Sequence, residues 1–161
     1  MNVLHHPSPI LKTRAHEIDP SQDAGLRDLV RAMAETMYDE SGIGLAAPQV
    51  GVDKRVIVFD IDDNLAALCN PVITEFSDET ACDDEGCLSV PGVTIPIERS
   101  TRIVCAGQTI EGNDIVIEAE DLLARVLQHE IDHLDGVLIL DRCPAEIKKS
   151  VIRAYNEANR L

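Results

Sequence analysis

The segment Gln128-His129-Glu130-Ile131-Asp132-His133 constrains this chain more than any other. It reads H-E-x-x-H inside a run whose apolar residues, Leu122, Leu123, Val126, Leu127, Ile131 and Leu134, recur at helical spacing. The spacing predicts a helix over 120–134, ended by Gly136. On a helix, residues four apart share a face, about 40° apart in azimuth and about 6 Å apart along the axis. His129 and His133 can therefore share one metal ion. Glu130 projects beside that metal, where a carboxylate can take a proton from a water acidified by the ion.

The motif supplies two ligands and a base, so another segment must supply the remaining ligand. Glu85-Gly86-Cys87-Leu88-Ser89-Val90-Pro91 places a thiol in a turn bounded by Gly and Pro. A thiolate is a strong ligand for Zn²⁺ or Fe²⁺. Two neutral His and one Cys leave a fourth position open for water, the pattern of a catalytic site. In Gly42-Ile43-Gly44-Leu45-Ala46-Ala47-Pro48-Gln49 the glycines let a substrate chain approach the backbone. Gln49 can donate its side-chain amide to a developing oxyanion. Each motif alone has an ordinary explanation: a solvated helix, a turn with a buried thiol, a packing segment. Together they supply different parts of one site.

The remaining pattern predicts an α+β fold. A helix opens at Pro20-Ser21-Gln22-Asp23, carries Leu26, Leu29, Val30, Met33 and Met37 on one face, and ends near Ser41-Gly42. Arg55–Phe59 reads as a buried strand, 60–64 as an acidic turn and Val72–Phe76 as a second strand set off by Asn70-Pro71. Short β-branched runs over 93–118, broken by Pro96, Gly107 and Gly112, predict an antiparallel meander. Pro144 is placed to start a last helix reaching about Arg160. The Asp-rich stretch around Cys82 reads as a loop. Cys69, Cys105 and Cys143 read as inert thiols in or beside apolar strands, and His5, His6 and His16 as surface residues.

Composition narrows the function classes. A chain of 161 residues without repeats or low-complexity linkers is expected to form one domain, 1–161. No window approaches the 18 or so apolar residues of a membrane span. The first residues lack a signal core. The five cysteines are odd in number and contain no C-x-x-C, which favours reduced thiols over a disulfide framework. These features lead us to expect the cytoplasm. A formal charge of −15 argues against DNA binding by the body of the protein.

Taken together, Gly42 to Gln49, Glu85 to Ser89 and Gln128 to Gly136 resemble the signature of peptide deformylases, and the resemblance spans nearly the whole chain. It is to the bacterial type with a C-terminal helix. It implies antiparallel sheets packed around a central metal-binding H-E-x-x-H helix, with an N-terminal and a C-terminal helix. It implies removal of the formyl group from N-formylmethionyl nascent peptides, with Fe²⁺ as the usual metal and Ni²⁺, Co²⁺ or Zn²⁺ as replacements. By position, Cys87, His129 and His133 resemble the metal ligands and Glu130 the general acid/base. Gln49 and the Leu88 backbone N–H resemble the oxyanion donors. Ile43, Gly44 and Gly86 match positions that pair with the substrate backbone. Ile43, Leu122, Val126 and the His129 ring match the methionine pocket, and Glu85 and Arg99 match a salt bridge behind the ligand loop. Docking of the C-terminal helix on the ribosome is a further implication.

Two positions depart from the pattern. Thr94 stands where many relatives carry a residue that reaches the substrate. Arg125 stands near the methionine pocket where an apolar residue is often found, and is expected either to point outward or to narrow the pocket mouth. Rival readings fare worse. A metzincin-type protease needs a third His at position 139, which is Ile139. A thermolysin-like peptidase would have to use Glu157 and leaves two motifs unexplained. A non-catalytic metal-stabilised module would recruit Cys82 as a fourth ligand.

The two thiols separate these readings. Cys87→Ala should lose bound metal while Cys82→Ala keeps it, by elemental analysis of purified protein. The opposite pattern would overturn the ligand assignment.

Overall fold

The computed structural model describes residues 1–159. The first helix, α1 (Leu26–Asp39), buries Leu26, Met33 and Met37. It starts later than the sequence pattern predicts. The Asp19 carboxylate accepts hydrogen bonds from the Ser21 backbone and hydroxyl, and Asp23 accepts one from Gly25 N–H. Such side-chain turns compete with the first helical turn.

Seven strands follow in two antiparallel sheets: β1 (Gly44–Ala46), β2 (Val56–Asp60), β3 (Leu65–Phe76), β4 (Thr80–Cys87), β5 (Val90–Ser100), β6 (Arg102–Gln108) and β7 (Asp114–Glu120). One sheet has the order β1-β2-β3-β6-β7, and β4 and β5 form a separate hairpin. Strand β2 explains its unbroken apolar run. Ile57 and Phe59 join one core cluster with Leu68, Ile103, Cys105 and Leu127, while Val56 and Val58 join another with Leu26, Met33 and Met37. A strand covered on both faces has no polar face to show.

Three local expectations change. Asn70-Pro71 does not separate two elements. Asn70 takes a φ of 50°, the β3–β6 register shifts there, and the strand continues, which is a bulge. The Asn70 side chain holds both backbone groups of Ile18. The acidic stretch around Cys82 is not a loop but strand β4, with Cys82 opposite Glu98. Pairing with the β-branched β5 overrides the weak strand propensity of Asp83 and Asp84. Pro96 lies within β5, tolerated in a two-stranded hairpin.

The H-E-x-x-H helix is α2 (Asp121–Leu134), close to its expected bounds. Its end is fixed twice. The buried Arg55 donates to Leu134 O at 2.9 Å and to the Asp135 carboxylate at 3.0 Å. This satisfies a carbonyl that a helix end leaves open. Gly136 has a φ of 75°, and a Cβ there would lie 2.7 Å from the Lys12 backbone. A short helix not foreseen, α3 (Ile139–Arg142), is followed by α4 (Lys148–Asn159). Helix α4 thus starts four residues after Pro144; the expected end at Arg160 lies outside the described residues. Cys143 follows α3 and packs against the cluster that holds Val90, Ile95 and Ile97 of β5, so it lies beside an apolar strand as expected. No helix of the described residues is long and apolar enough to cross a membrane.

Candidate metal centre

Helix α2 passes between the five-stranded sheet and the β4–β5 hairpin. The face that meets the hairpin carries His129 and His133, and the hairpin turn presents Cys87. Cys87 Sγ lies 3.3 Å from His133 Nε2, and His133 Nε2 lies 3.3 Å from His129 Nε2. The three ligand atoms all fall within 4.8 Å of one another. Donors bound at about 2.0–2.3 Å around a tetrahedral ion stand roughly 3.3–3.6 Å apart. The donor set therefore fits a divalent cation with one position left open. Cys82 is exposed and lies outside this group.

The imidazoles are set differently. His129 Nδ1 meets Glu85 Oε1 at 2.8 Å, which places the proton on Nδ1 and directs the Nε2 lone pair at the metal position. With no cation bound, burial opposes charge on His129, but Glu130, Cys87 and Glu85 outweigh it and raise its pKa well above the ordinary value, so a metal binding at Nε2 would displace a proton. Burial, with the nearby His129 and Arg99 charges, holds His133 well below that value, in the neutral form a ligand needs.

Glu85 anchors this arrangement. Arg99 Nε and Nη2 donate to its two carboxylate oxygens at 2.9 Å each. Arg99 Nη1 continues to Asp132 at 2.7 Å, and Arg142 holds the same carboxylate. Burial alone would raise the Glu85 pKa, yet the hydrogen bonds from Arg99 and His129 hold it well below the usual carboxylate range. Arg125 does not point outward: it is part of the cleft lining and reaches the carboxylate behind it. Its Nη1 donates to Glu85 Oε2 at 2.5 Å and to Ile97 O at 3.0 Å, and its Nη2 to Ala81 O at 2.8 Å. Its position four residues before His129, on the same helix face, is the sequence signal that could have revealed this contact.

Glu130 is buried, and burial pushes its pKa up to about 7. Its Oε1 and His133 Nδ1 have no hydrogen-bond partner among the described residues. Gly44 lies against Glu130 so closely that a Cβ would overlap the carboxylate. Gln49 sits in a 3₁₀ turn (Ala47–Val50) and is locked at both ends of its amide. Its Oε1 accepts from Ala46 N–H at 2.9 Å, and its Nε2 donates to Ser89 Oγ at 3.0 Å and lies 3.8 Å from Cys87 Sγ. The sequence motif gave no sign that Ser89 is the residue that orients Gln49.

A cleft of about 440 Å³ gathers Ile43, Gly44, Gln49, Glu85, Gly86, Cys87, Leu88, Leu122, Val126, His129 and Glu130. Ile43 and Leu122 stand exposed at its rim, and Val126 is buried. His133 lies behind it. Thr94 is outside it; a Cβ on Gly86 would be 3.9 Å from its methyl group. His5 and His16 are exposed, but His6 is half-buried with its ring against Tyr155. Burial pushes the Cys69 and Cys105 thiols up to about 11, which keeps them protonated.

A family model described as Polypeptide deformylase matches residues 1–149. A peptide deformylase of Dictyoglomus thermophilum is 51% identical over 142 residues, covering 88% of this chain and 92% of the relative. One from Acidothermus cellulolyticus is 46% identical over 150 residues, covering 93% and 82%. Among solved structures, a peptide deformylase from Plasmodium falciparum superposes with a TM-score of 0.92 at 35% identity, covering 99% of this chain and 95% of that one. One from Thermotoga maritima gives 0.86 at 43% identity, covering 89% and 97%.

Glu85→Gln tests whether the carboxylate orients His129. Loss of such a partner typically weakens metal binding about 10–100-fold, and competition against a chelator should show a fall of that size. A folded variant with wild-type metal affinity would sink the idea.

Proposed function

The chain belongs to the polypeptide deformylase family, and on that premise we propose how its residues remove the formyl group from the N-terminal formylmethionine of a peptide. One observation carries the reading: Cys87, His129 and His133 converge on one point in the cleft that also holds Glu130 and Gln49. Residues 1–161 act as one catalytic domain. Cys87, His129 and His133 hold the divalent metal of the family. When bound, the cation supplies Lewis-acid polarisation and makes a water in its open position acidic near neutral pH.

The protein side chains do the rest. Glu130 accepts a proton from the attacking water and returns it to the nitrogen of the leaving peptide amine. A carboxyl pushed up to about 7 can both take and give a proton near neutrality. Gln49 Nε2 and the Leu88 backbone N–H donate to the formyl oxygen as it becomes an oxyanion. The peptide backbone runs between Ile43-Gly44 and Gly86, adding a strand to the edge of β1. The methionine side chain enters between Ile43, Leu122, Val126 and the His129 ring.

Sulfur and nitrogen donors suit Zn²⁺ in general. The resemblance of all three motifs to the family supports Fe²⁺ as the native ion. All five cysteines are free, which supports a reducing compartment and hence the cytoplasm. Protein purified without oxygen should carry Fe²⁺ and release formate from formyl-Met-Ala without cleaving casein. Glu130→Gln should keep the iron and lose about 10²–10⁴-fold in kcat/KM. Near wild-type kcat/KM in that variant would refute Glu130 as the base, and an active protein containing only zinc would refute the iron.

We also assign the ribosome as a docking partner of α4. The helix exposes Lys148, Lys149 and Arg153 against a single acid, Glu157, in a chain of net charge −15. An acidic body is repelled by RNA, so docking must run through this basic element and weaken with salt. Replacing the three cations with Ala should abolish ribosome co-sedimentation at low salt and leave formyl-Met-Ala turnover intact. Unchanged co-sedimentation would rule out the assignment.

A further inference from the structure

Helix α4 buries one residue, Tyr155, which is 2% exposed and packs among Val90, Ile95, Ile97, Ile139 and Leu140. Aliphatic packing does not account for a tyrosine there, because the hydroxyl must find a partner when buried. It finds one at the other end of the chain. Tyr155 Oη donates to the carbonyl of His6 at 2.6 Å, and the two rings meet edge to face at 5.5 Å.

The segment that Tyr155 holds is itself a tie. Leu4 N–H donates to Gln49 O at 2.7 Å, and two residues later His6 N–H donates to Ser89 O at 2.8 Å. Leu4–His6 therefore laces the turn carrying Gln49 to the turn carrying Cys87, Leu88 and Ser89. The same two turns are joined again by Gln49 Nε2 to Ser89 Oγ at 3.0 Å. Helix α4 grips the hairpin independently through Asn159, which donates to Pro91 O at 2.9 Å.

We propose that Tyr155 is a positioning residue for the deformylation reaction, acting through the Leu4–His6 segment to set the spacing between Gln49 and the Leu88–Ser89 turn. The proposal rests on the assignment of Gln49 and Leu88 as oxyanion donors. Such donors work only when aimed at the atom where charge develops, and losing one outright costs about 10²–10³-fold in kcat. Loosening the segment that spaces them costs less than losing one, and leaves peptide binding along β1 and in the methionine pocket untouched. The expected signature is a fall in kcat at constant KM.

Tyr155→Phe keeps the packed ring and removes only the hydroxyl. On formyl-Met-Ala it should lower kcat about tenfold, a fraction of a full donor loss, with KM and metal content unchanged. In a Ser89→Ala background, where the direct tie to Gln49 is already cut, the same substitution should cost more than it does alone, because each of the two ties then no longer backs up the other. Wild-type kcat for Tyr155→Phe beside an impaired Gln49→Ala would overturn the proposal alone. Losses that multiply in the double variant, or a kcat loss that tracks lost metal, would also overturn it and leave Tyr155 a packing residue. Wild-type kcat for Gln49→Ala would overturn the oxyanion assignment and the proposal together.

Discussion

The site depends on one buried carboxylate. Glu85 sits at the end of β4, and three cationic or proton-bearing groups from two other elements converge on it: Arg99 from β5, and Arg125 and His129 from α2. Each contact joins the hairpin to itself or to the helix, and the hairpin carries Cys87 while the helix carries both histidines. Removing one member of a buried ion pair costs about 3–5 kcal/mol, because its partner is left charged and unpaired. The network therefore sets the distance between thiol and imidazoles more stiffly than packing alone could. Apolar side chains of the right volume can slide past one another, whereas a guanidinium bound to both oxygens of a carboxylate cannot.

Splitting the strands into two sheets has a consequence for chemistry. Strand β1 is an edge of the larger sheet, and β4 belongs to the separate hairpin. The cleft lies between them, lined by Ile43 and Gly44 on one side and by Asp84 to Leu88 on the other. An unpaired strand edge invites an added strand. On the proposed reading the peptide substrate supplies it, and pairing through the backbone suits an enzyme that meets many different sequences after the formylmethionine. Gly44 serves a separate need. It brings Glu130 up to the backbone, where any side chain would displace the carboxylate.

Burial and charge divide the labour among the titratable groups. Glu130 has no cation bonded to it, so desolvation prevails and its pKa rises to about 7. Glu85 is also buried, but it accepts from Arg99 and His129 and stays ionised. Two carboxylates on either side of His129 thus hold opposite protonation preferences, one suited to moving a proton and the other to holding an imidazole still.

What the sequence alone determined was local. Helical spacing put His129 and His133 on one face, and Gly86 and Pro91 bracketed the thiol in a turn. The apolar run at Val56–Phe59 announced a strand covered on both sides. These features are written in periods of two to four residues, or in backbone restrictions of single residues, and so need no partner to be read. Tertiary structure decided the rest. Arg125 could be placed on the helix face of His129, but not recognised as a ligand of Glu85, forty residues away. The Asp-rich stretch around Cys82 is a strand only because β5 pairs with it. Ser89 orients Gln49, and Tyr155 reaches His6 across 149 residues of chain. Hydrogen bonds between distant segments have no periodicity, and a polar residue that will be paired in the interior looks the same in sequence as one that faces water.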